Sequence, residues 1–85
     1  MKLDQDLLDI LRCPETKQTL SVADDALLEK INAAIAGGTL VNRGGEKVDE
    51  PADGALVRED GQVAYLVHDD VPEMLIDASI ELAAL

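Results

Sequence analysis

Two apolar segments on either side of an Asp-Gly dipeptide are the feature that most constrains the fold of this chain. The segments are Ala55-Leu56-Val57-Arg58 and Gln62-Val63-Ala64-Tyr65-Leu66-Val67, and Asp60-Gly61 lies between them. Asp-Gly pairs supply the positive φ values that tight hairpin turns require. The pattern therefore predicts an antiparallel β-hairpin closed by this dipeptide.

A second turn is predicted directly after the hairpin. His68-Asp69-Asp70 leads there into Val71-Pro72-Glu73-Met74-Leu75-Ile76. The tail that follows, Asp77 to Leu85, has little to anchor it apart from Ile80 and Leu82.

The N-terminal part of the chain predicts a short helix and then a short strand. Asp4 can cap the helix, and the helix must end near Arg12 because Pro14 disfavours helical geometry at the residue before it. Thr19-Leu20-Ser21-Val22 has the alternation typical of a strand. The apolar residues of the helix, at helical spacing, are Leu3, Leu7, Ile10 and Leu11.

A second helix is predicted between this strand and the hairpin. Asp24 can cap its first turn, and Gly37-Gly38 can end it with the left-handed conformation that glycine permits. Its apolar stripe consists of Leu27, Leu28, Ile31, Ala34 and Ile35.

These elements predict an α+β fold, with an N-terminal helix and a small antiparallel sheet that has one helix inserted after its first strand. Between the inserted helix and the hairpin we expect a strand at Thr39 to Asn42 and a short extended piece at Glu46 to Glu50. A length of 85 residues predicts a single domain over residues 1–85. Within it, residues 24–37 are the helical insertion and residues 54–76 the C-terminal hairpin block.

The composition narrows the possible partners. A formal charge of −11 repels phosphate backbones and anionic membrane surfaces. With one Tyr and no Trp or Phe, the chain also has no stacking platform for single-stranded nucleic acid. Acidic residues near the N-terminus do not fit a signal peptide, and a single cysteine fits a reducing compartment. We therefore expect a cytoplasmic protein that binds neither nucleic acid nor membrane directly.

The residue types that carry chemistry are few. Cys13 and His68 are the sole thiol and imidazole, and nothing in the sequence supplies the third, orienting group that a Cys-His catalytic pair needs. Asp69-Asp70, with Glu73 and Asp77 nearby, shows no calcium-loop pattern and fits a solvated acidic face better. The sequence therefore predicts no enzyme, no metal site and no cofactor.

The C-terminal third has a one-sided charge. From Glu59 to the end there are seven acidic residues and no Lys or Arg. Such charge near a sheet edge would steer encounter with a basic partner surface. Solubility alone would explain it equally well.

The chain resembles the small zinc-ribbon-like activator subunits of tRNA, rRNA and release-factor methyltransferases and their short bacterial relatives. Three blocks carry the resemblance. They are the helix that runs into Cys-Pro at residues 7–14, the strand at residues 19–22, and the C-terminal block at residues 58–75. The resemblance covers nearly the whole chain, and the helical insertion fits longer members of the family.

Zinc-binding members of that family have one Cys pair after the first helix and a second at the hairpin. The matching positions in this chain are Cys13, Thr16, Arg58 and Gly61, so zinc is not expected. Asp70 stands where the family usually has Gly, and Asp tolerates the left-handed conformation better than most residues.

The resemblance implies a non-catalytic adaptor that binds and stabilises or activates a class I S-adenosylmethionine-dependent methyltransferase by strand addition. The positions that it implies for the contact are Tyr65, Val67, Val71, Pro72, Met74 and Leu75, and each of these residues could equally be core or plain strand. Two other functions stay open. One is a self-associating housekeeping protein, with a homodimer through an edge strand, and the other is an acidic decoy that binds a basic protein.

Overall fold

An antiparallel sheet organises the structure, a computed structural model that describes residues 5–85. The predicted cap Asp4 and the apolar Leu3 lie outside the described residues. The helices are α1 (Gln5–Ile10) and α2 (Asp25–Ala36), with a 3-10 turn at Leu82–Ala84. The strands are β1 (Leu20–Val22), β2 (Gly54–Arg58), β3 (Val63–His68), β4 (Val71–Pro72) and β5 (Ile80–Glu81). The α+β class predicted from the sequence is confirmed.

Strand β3 is the centre of the sheet. Along one side it pairs with β2, which in turn pairs with β1. Along its other side, β5 pairs with the beginning of β3, at Ala64 and Ile80, and β4 pairs with its end, at Val67 and Pro72. All of these pairings are antiparallel, so the backbone of β3 is engaged on both sides.

The two faces of β3 contribute to two separate cores. Ala64 and Leu66 face α2 and the inserted loop, where Ile31, Ile35 and Leu40 are buried. The opposite face carries Val63, Tyr65 and Val67, together with Cys13, Leu20 and Leu56. Because both faces are covered, β3 reads as a continuous apolar run in the sequence.

Helix α2 begins and ends as its sequence predicts. An oxygen of the Asp24 side chain accepts a hydrogen bond from the amide of Leu27 at 2.8 Å, which satisfies one of the free donors of the first turn. At the other end Gly37 still has helical geometry, and Gly38 takes the left-handed conformation with φ +72°. Glycine adopts that conformation without strain.

The β2–β3 turn differs from the prediction for Asp60-Gly61, whereas the β3–β4 turn agrees with the prediction for Asp70. Of that pair only Gly61 has a positive φ, of +73°, and its amide donates to the carbonyl of Arg58 at 2.7 Å. The β2–β3 turn is thus a longer loop with one left-handed residue. In the β3–β4 turn both Asp69 and Asp70 have positive φ, of 52° and 62°, which confirms the expected left-handed Asp70.

Two predictions about irregular segments are wrong. Thr39 to Asn42 is not a strand, because Val41 makes an isolated bridge with Lys47 and the segment instead buries Leu40 beneath the inserted helix. The C-terminal tail is anchored, since Ile80 is fully buried and lies in β5. The inserted loop also binds the tail, through a hydrogen bond of 2.9 Å from the amide of Arg43 to the carbonyl of Ser79.

Candidate functional site

The two ends of strand β3 have different surroundings, and the predicted site residues divide between them. The arginine end comprises the turn at residues 13–18, the β2–β3 turn at residues 58–62, and Arg43. The acidic end comprises residues 69–77. Among the described helices, none is long and apolar enough to span a membrane.

Tyr65 and Val67 are core residues in the structure. Both side chains are fully buried, and the backbone of β3 pairs with β2 on one side and with β4 or β5 on the other. Neither side chain is therefore available for contact with a partner in this conformation. Their apolar character follows from the position of β3 between two cores.

The acidic end does expose apolar side chains. Val71 is 63% and Leu75 is 68% exposed, and Ile76, which the sequence reasoning did not single out, is 36% exposed. These three residues are called the apolar strip. Ile76 continues the apolar run that contains Leu75, and that continuity was the one available signal for it.

Pro72 and Met74 are less exposed than the apolar strip and less buried than Tyr65 and Val67. Both side chains are partly buried, and Met74 packs against the core on the Cys13 face. The amide of Glu73 donates to the carbonyl of Leu66 at 2.9 Å, and backbone groups alternate in direction along an antiparallel strand. The outer edge of β4 at Pro72 therefore presents a carbonyl oxygen but no N–H.

Acidic residues flank the apolar strip in the sequence, and carboxylates form hydrogen bonds with the β3–β4 turn and with His68 before it. The amide of Asp69 donates to a carboxylate oxygen of Asp53 at 2.5 Å. The ring of His68 contacts a carboxylate oxygen of Glu73 at 3.1 Å through Nδ1 and the carbonyl of Glu50 at 3.3 Å through Nε2. His68 is thus engaged within the acidic end and not with Cys13.

Cys13 is buried at the arginine end, with its Sγ 2.8 Å from the hydroxyl of Tyr65. Burial opposes ionisation of this thiol, but hydrogen bonds with Tyr65, with Thr16 and with the backbone of Thr16 and Glu15 outweigh it and lower the pKa of Cys13 to about 7. Burial and the contact with Cys13 raise the pKa of Tyr65. The Sγ atom of Cys13 is therefore a buried partner in hydrogen bonds.

Arg58 connects the two turns of the arginine end. It is 8% exposed, and its guanidinium donates to both carboxylate oxygens of Asp60, with Nε at 3.0 Å and Nη2 at 2.8 Å. Nη1 lies 3.0 Å from a carboxylate oxygen of Glu15. Hydrogen bonds with Asp60 and then with Cys13 raise the pKa of Arg58. Two carboxylates from different turns thus share one guanidinium.

Glu15 also binds a second arginine. The guanidinium of Arg43 donates to its two carboxylate oxygens at 2.7 and 2.9 Å. Hydrogen bonds from Arg43, and more weakly from Arg58, hold the pKa of Glu15 below its usual value. Arg58 and the amide of Gln62 do the same for the pKa of Asp60. Sequence reasoning found neither the role of Glu15 nor that of Arg43, because they lie far apart in the chain.

The four positions that match zinc ligands in the family do not fit zinc. Structural zinc sites use four Cys or His ligands. Cys13 could supply one ligand, but Arg58 fills the position of another with a cation, Gly61 has no side chain, and Thr16 is a hydroxyl. Across residues 5–85, no group of three or more His, Cys, Asp and Glu side chains is placed to hold a metal.

A cleft of about 550 Å³ lies at the arginine end, lined in part by Arg43, Arg58 and Glu81. Both arginines are already paired, because Arg58 binds Glu15 and Asp60, and Arg43 binds Glu15 and lies 4.0 Å from Glu81. The cleft therefore offers an anionic ligand little charge that is not already compensated.

A sequence model of Trm112p-like proteins matches residues 4–70, well over half of the chain. The chain belongs to the Trm112p-like family. This is the methyltransferase-activator family that the sequence resembles, so the resemblance is confirmed.

A solved structure agrees with the family assignment. The chain is similar to the solution NMR structure of XF2673 from Xylella fastidiosa, with 29% sequence identity and a TM-score of 0.76. The similarity covers 96% of this chain and 84% of that one. No curated protein matches the sequence.

Proposed function

We propose that this protein is a non-catalytic adaptor that binds a class I S-adenosylmethionine-dependent methyltransferase and stabilises or activates it. The observation that carries the proposal is the apolar strip, Val71, Leu75 and Ile76, exposed beside an edge of the sheet in a member of an activator family. Large apolar side chains that are exposed together in a small protein commonly mark an interaction surface.

The edge of β4 supports a particular form of strand addition. Its outer side presents the carbonyl of Pro72 without a neighbouring N–H, so a partner strand would gain fewer backbone hydrogen bonds there than along an ordinary edge. The apolar strip would then supply a larger share of the affinity through side-chain burial. Of the six positions implied by the family, we retain Val71, Pro72, Met74 and Leu75 for the contact and assign Tyr65 and Val67 to the core.

The charge of the acidic end supports a partner with a complementary rim. Asp69, Asp70, Glu73 and Asp77 flank the apolar strip, and no Lys or Arg follows Arg58 in the sequence. A methyltransferase surface with an apolar centre and basic residues around it would satisfy both features. Salt would slow the association with such a surface and leave most of the apolar contribution intact.

A non-catalytic role is supported by the state of the reactive groups. Cys13 is buried against Tyr65, and His68 is bound to Glu73 and Glu50, so the two do not form a Cys-His pair. We further propose that residues 1–85 act as one domain in the cytoplasm, where a lone cysteine stays reduced.

Affinity capture with binding measurement tests the proposal. The tagged protein at mild salt should recover a class I methyltransferase, and the double substitution Val71→Ser and Leu75→Ser should weaken that complex at least about tenfold, because two exposed apolar contacts are worth about 1 kcal/mol each. Val22→Ser is the matched control, since Val22 is 47% exposed on β1 at the opposite edge of the sheet.

Two results would contradict the adaptor function. One is the recovery of no methyltransferase in repeated captures, and the other is a double variant that binds as tightly as Val22→Ser. Sedimentation separates the self-association alternative, which requires a dimer that survives dilution to about micromolar concentration. The decoy alternative requires binding to a basic protein that is lost steeply as salt rises.

A further inference from the structure

We propose that Arg58 takes the place of a metal ion in this chain, because its guanidinium is fixed by Asp60 within the β2–β3 turn and binds Glu15 in the turn at residues 13–18. The group of Arg58, Glu15, Asp60 and Arg43 is called the arginine clip. Its consequence is a fold that reaches full stability without zinc, in a family whose zinc-binding members hold the same two turns by cysteines.

The geometry of the arginine clip is that of a cross-link. Arg58 binds Asp60 with two nitrogens at 2.8 and 3.0 Å and Glu15 with a third at 3.0 Å. A guanidinium has five donors in a fixed plane and can bind two carboxylates at once. Glu15 is 43 positions from Arg58 in the sequence, so the contact closes a long loop.

Other hydrogen bonds join the same region, between residues 18–19 and residues 59–60. The hydroxyl of Thr19 donates to a carboxylate oxygen of Glu59 at 3.0 Å. The amide of Asp60 donates to the side-chain oxygen of Gln18 at 3.3 Å. These contacts are exposed and individually weak. The amide of Glu59 also donates to the carbonyl of Thr19 at 2.9 Å. Arg58 differs from the other side chains in these contacts because it is nearly buried.

The charges of the arginine clip balance each other. Two guanidinium groups, Arg43 and Arg58, meet two carboxylates, Glu15 and Asp60, in addition to the polar sulfur of Cys13. Removal of Glu15 or Asp60 would leave the nearly buried guanidinium of Arg58 with one carboxylate fewer, which costs more than the loss of an exposed pair. Removal of Arg58 would take the shared cation from two carboxylates whose side chains are 33% and 27% exposed. A zinc ion placed here would have to displace a cation that is already compensated.

Thermal unfolding with and without a chelator tests the inference on the full chain. The melting temperature of the wild type should stay within about 1 °C in excess chelator, whereas Arg58→Met should lower it by about 10 °C. Arg58→Lys should lie between the two, because an ammonium keeps the charge and loses the planar fork. This variant keeps the test informative if Arg58→Met does not fold.

Arg12→Met is the matched control. The guanidinium of Arg12 is exposed and donates to the nearby carbonyls of Asp9 and Leu11, so its substitution should shift the melting temperature by less than about 2 °C. In the background Glu15→Gln, Arg58→Met should lower the melting temperature clearly less than in the wild type, because the two residues act through one contact.

The reactivity of Cys13 gives an independent readout. Opening of the arginine clip should expose the buried thiol, so Arg58→Lys should react with a thiol reagent several times faster than Arg12→Met below the melting transition. A wild type destabilised by chelator, or an Arg58→Lys variant that matches Arg12→Met in both melting temperature and thiol reactivity, would overturn the inference.

Discussion

The arginine end and the acidic end of strand β3 differ in which side chains are paired and which are exposed. At the arginine end, polar side chains are paired with one another: Arg58 binds Glu15 and Asp60, and Cys13 binds Tyr65. At the acidic end, Val71 and Leu75 are left exposed among carboxylates. The roles proposed for the two ends differ accordingly: the arginine end holds two turns together, and the acidic end contacts a partner. Substitutions at the two ends should therefore have separable effects on stability and on binding.

Val67 and Val71 provide the sharpest test of that separation, because they lie on neighbouring strands near the same end of the sheet. Val67→Ala should lower the free energy of unfolding by about 2 kcal/mol, since it removes two methyl groups from a packed core. Val71→Ala should change it by less than about 0.5 kcal/mol, since that side chain is already 63% exposed. Chemical denaturation measures both. Equal losses would show that the acidic end is as tightly packed as the core.

The ionisation of Cys13 should make stability depend on pH at the arginine end. The pKa of the folded thiol is lowered to about 7, below the value of about 8.5 for an unfolded cysteine. Folding then favours the thiolate, so its contribution is present above the unfolded pKa and is lost as pH falls through about 7. We expect the free energy of unfolding to rise by about 1–2 kcal/mol between pH 7 and pH 9.

Cys13→Ser is the control for this pH dependence. Serine keeps a hydrogen-bonding group beside Tyr65 but does not ionise in this range, so the rise between pH 7 and pH 9 should be absent. Superimposable pH profiles of the two proteins would mean that the thiol titrates as it does in the unfolded chain.

The smallest effects come from the two hairpin turns, which place different residues in the left-handed conformation. Gly61→Ala should cost about 1 kcal/mol through backbone strain alone, because φ is +73° and no atom lies within 4 Å of the added Cβ. Asp70→Gly should stabilise by about 0.5 kcal/mol, since it relieves a residue held at φ 62° but adds freedom to the unfolded chain. Thermal melts would show the opposite signs, and a loss on Asp70→Gly would mean that the Asp70 side chain outweighs its strain.

Local signals predicted much of the fold because they act within a few residues. The cap at Asp24, the glycines after α2 and the apolar segments around Asp60-Gly61 each depend on neighbours in the chain, and the structure contains the capped helix and both strands. The same reasoning missed β5, since Ile80 has no local pattern and becomes a strand residue through its pairing with Ala64. It also misjudged Thr39 to Asn42, where burial of Leu40 outweighs any preference for a regular strand.

The predicted contact residues likewise fall into two groups, of which the sequence could identify only one. Sequence and family likeness pointed to Val71 and Leu75, and those side chains are exposed. They pointed equally to Tyr65 and Val67, which have the same apolar character but lie on a strand covered on both faces. Burial of that kind depends on what packs against a strand, and no pattern within the strand itself distinguishes the two pairs.

By itself, the sequence determined the family and the apolar segments of the hairpin, because both follow from residue types at known positions. Only the tertiary structure decided what holds the two turns together and which apolar residues remain outside. Arg58 and Glu15 lie 43 positions apart, and nothing in either local segment specifies their contact. It exists because β2, packed between β1 and β3, brings both turns to one end of the sheet.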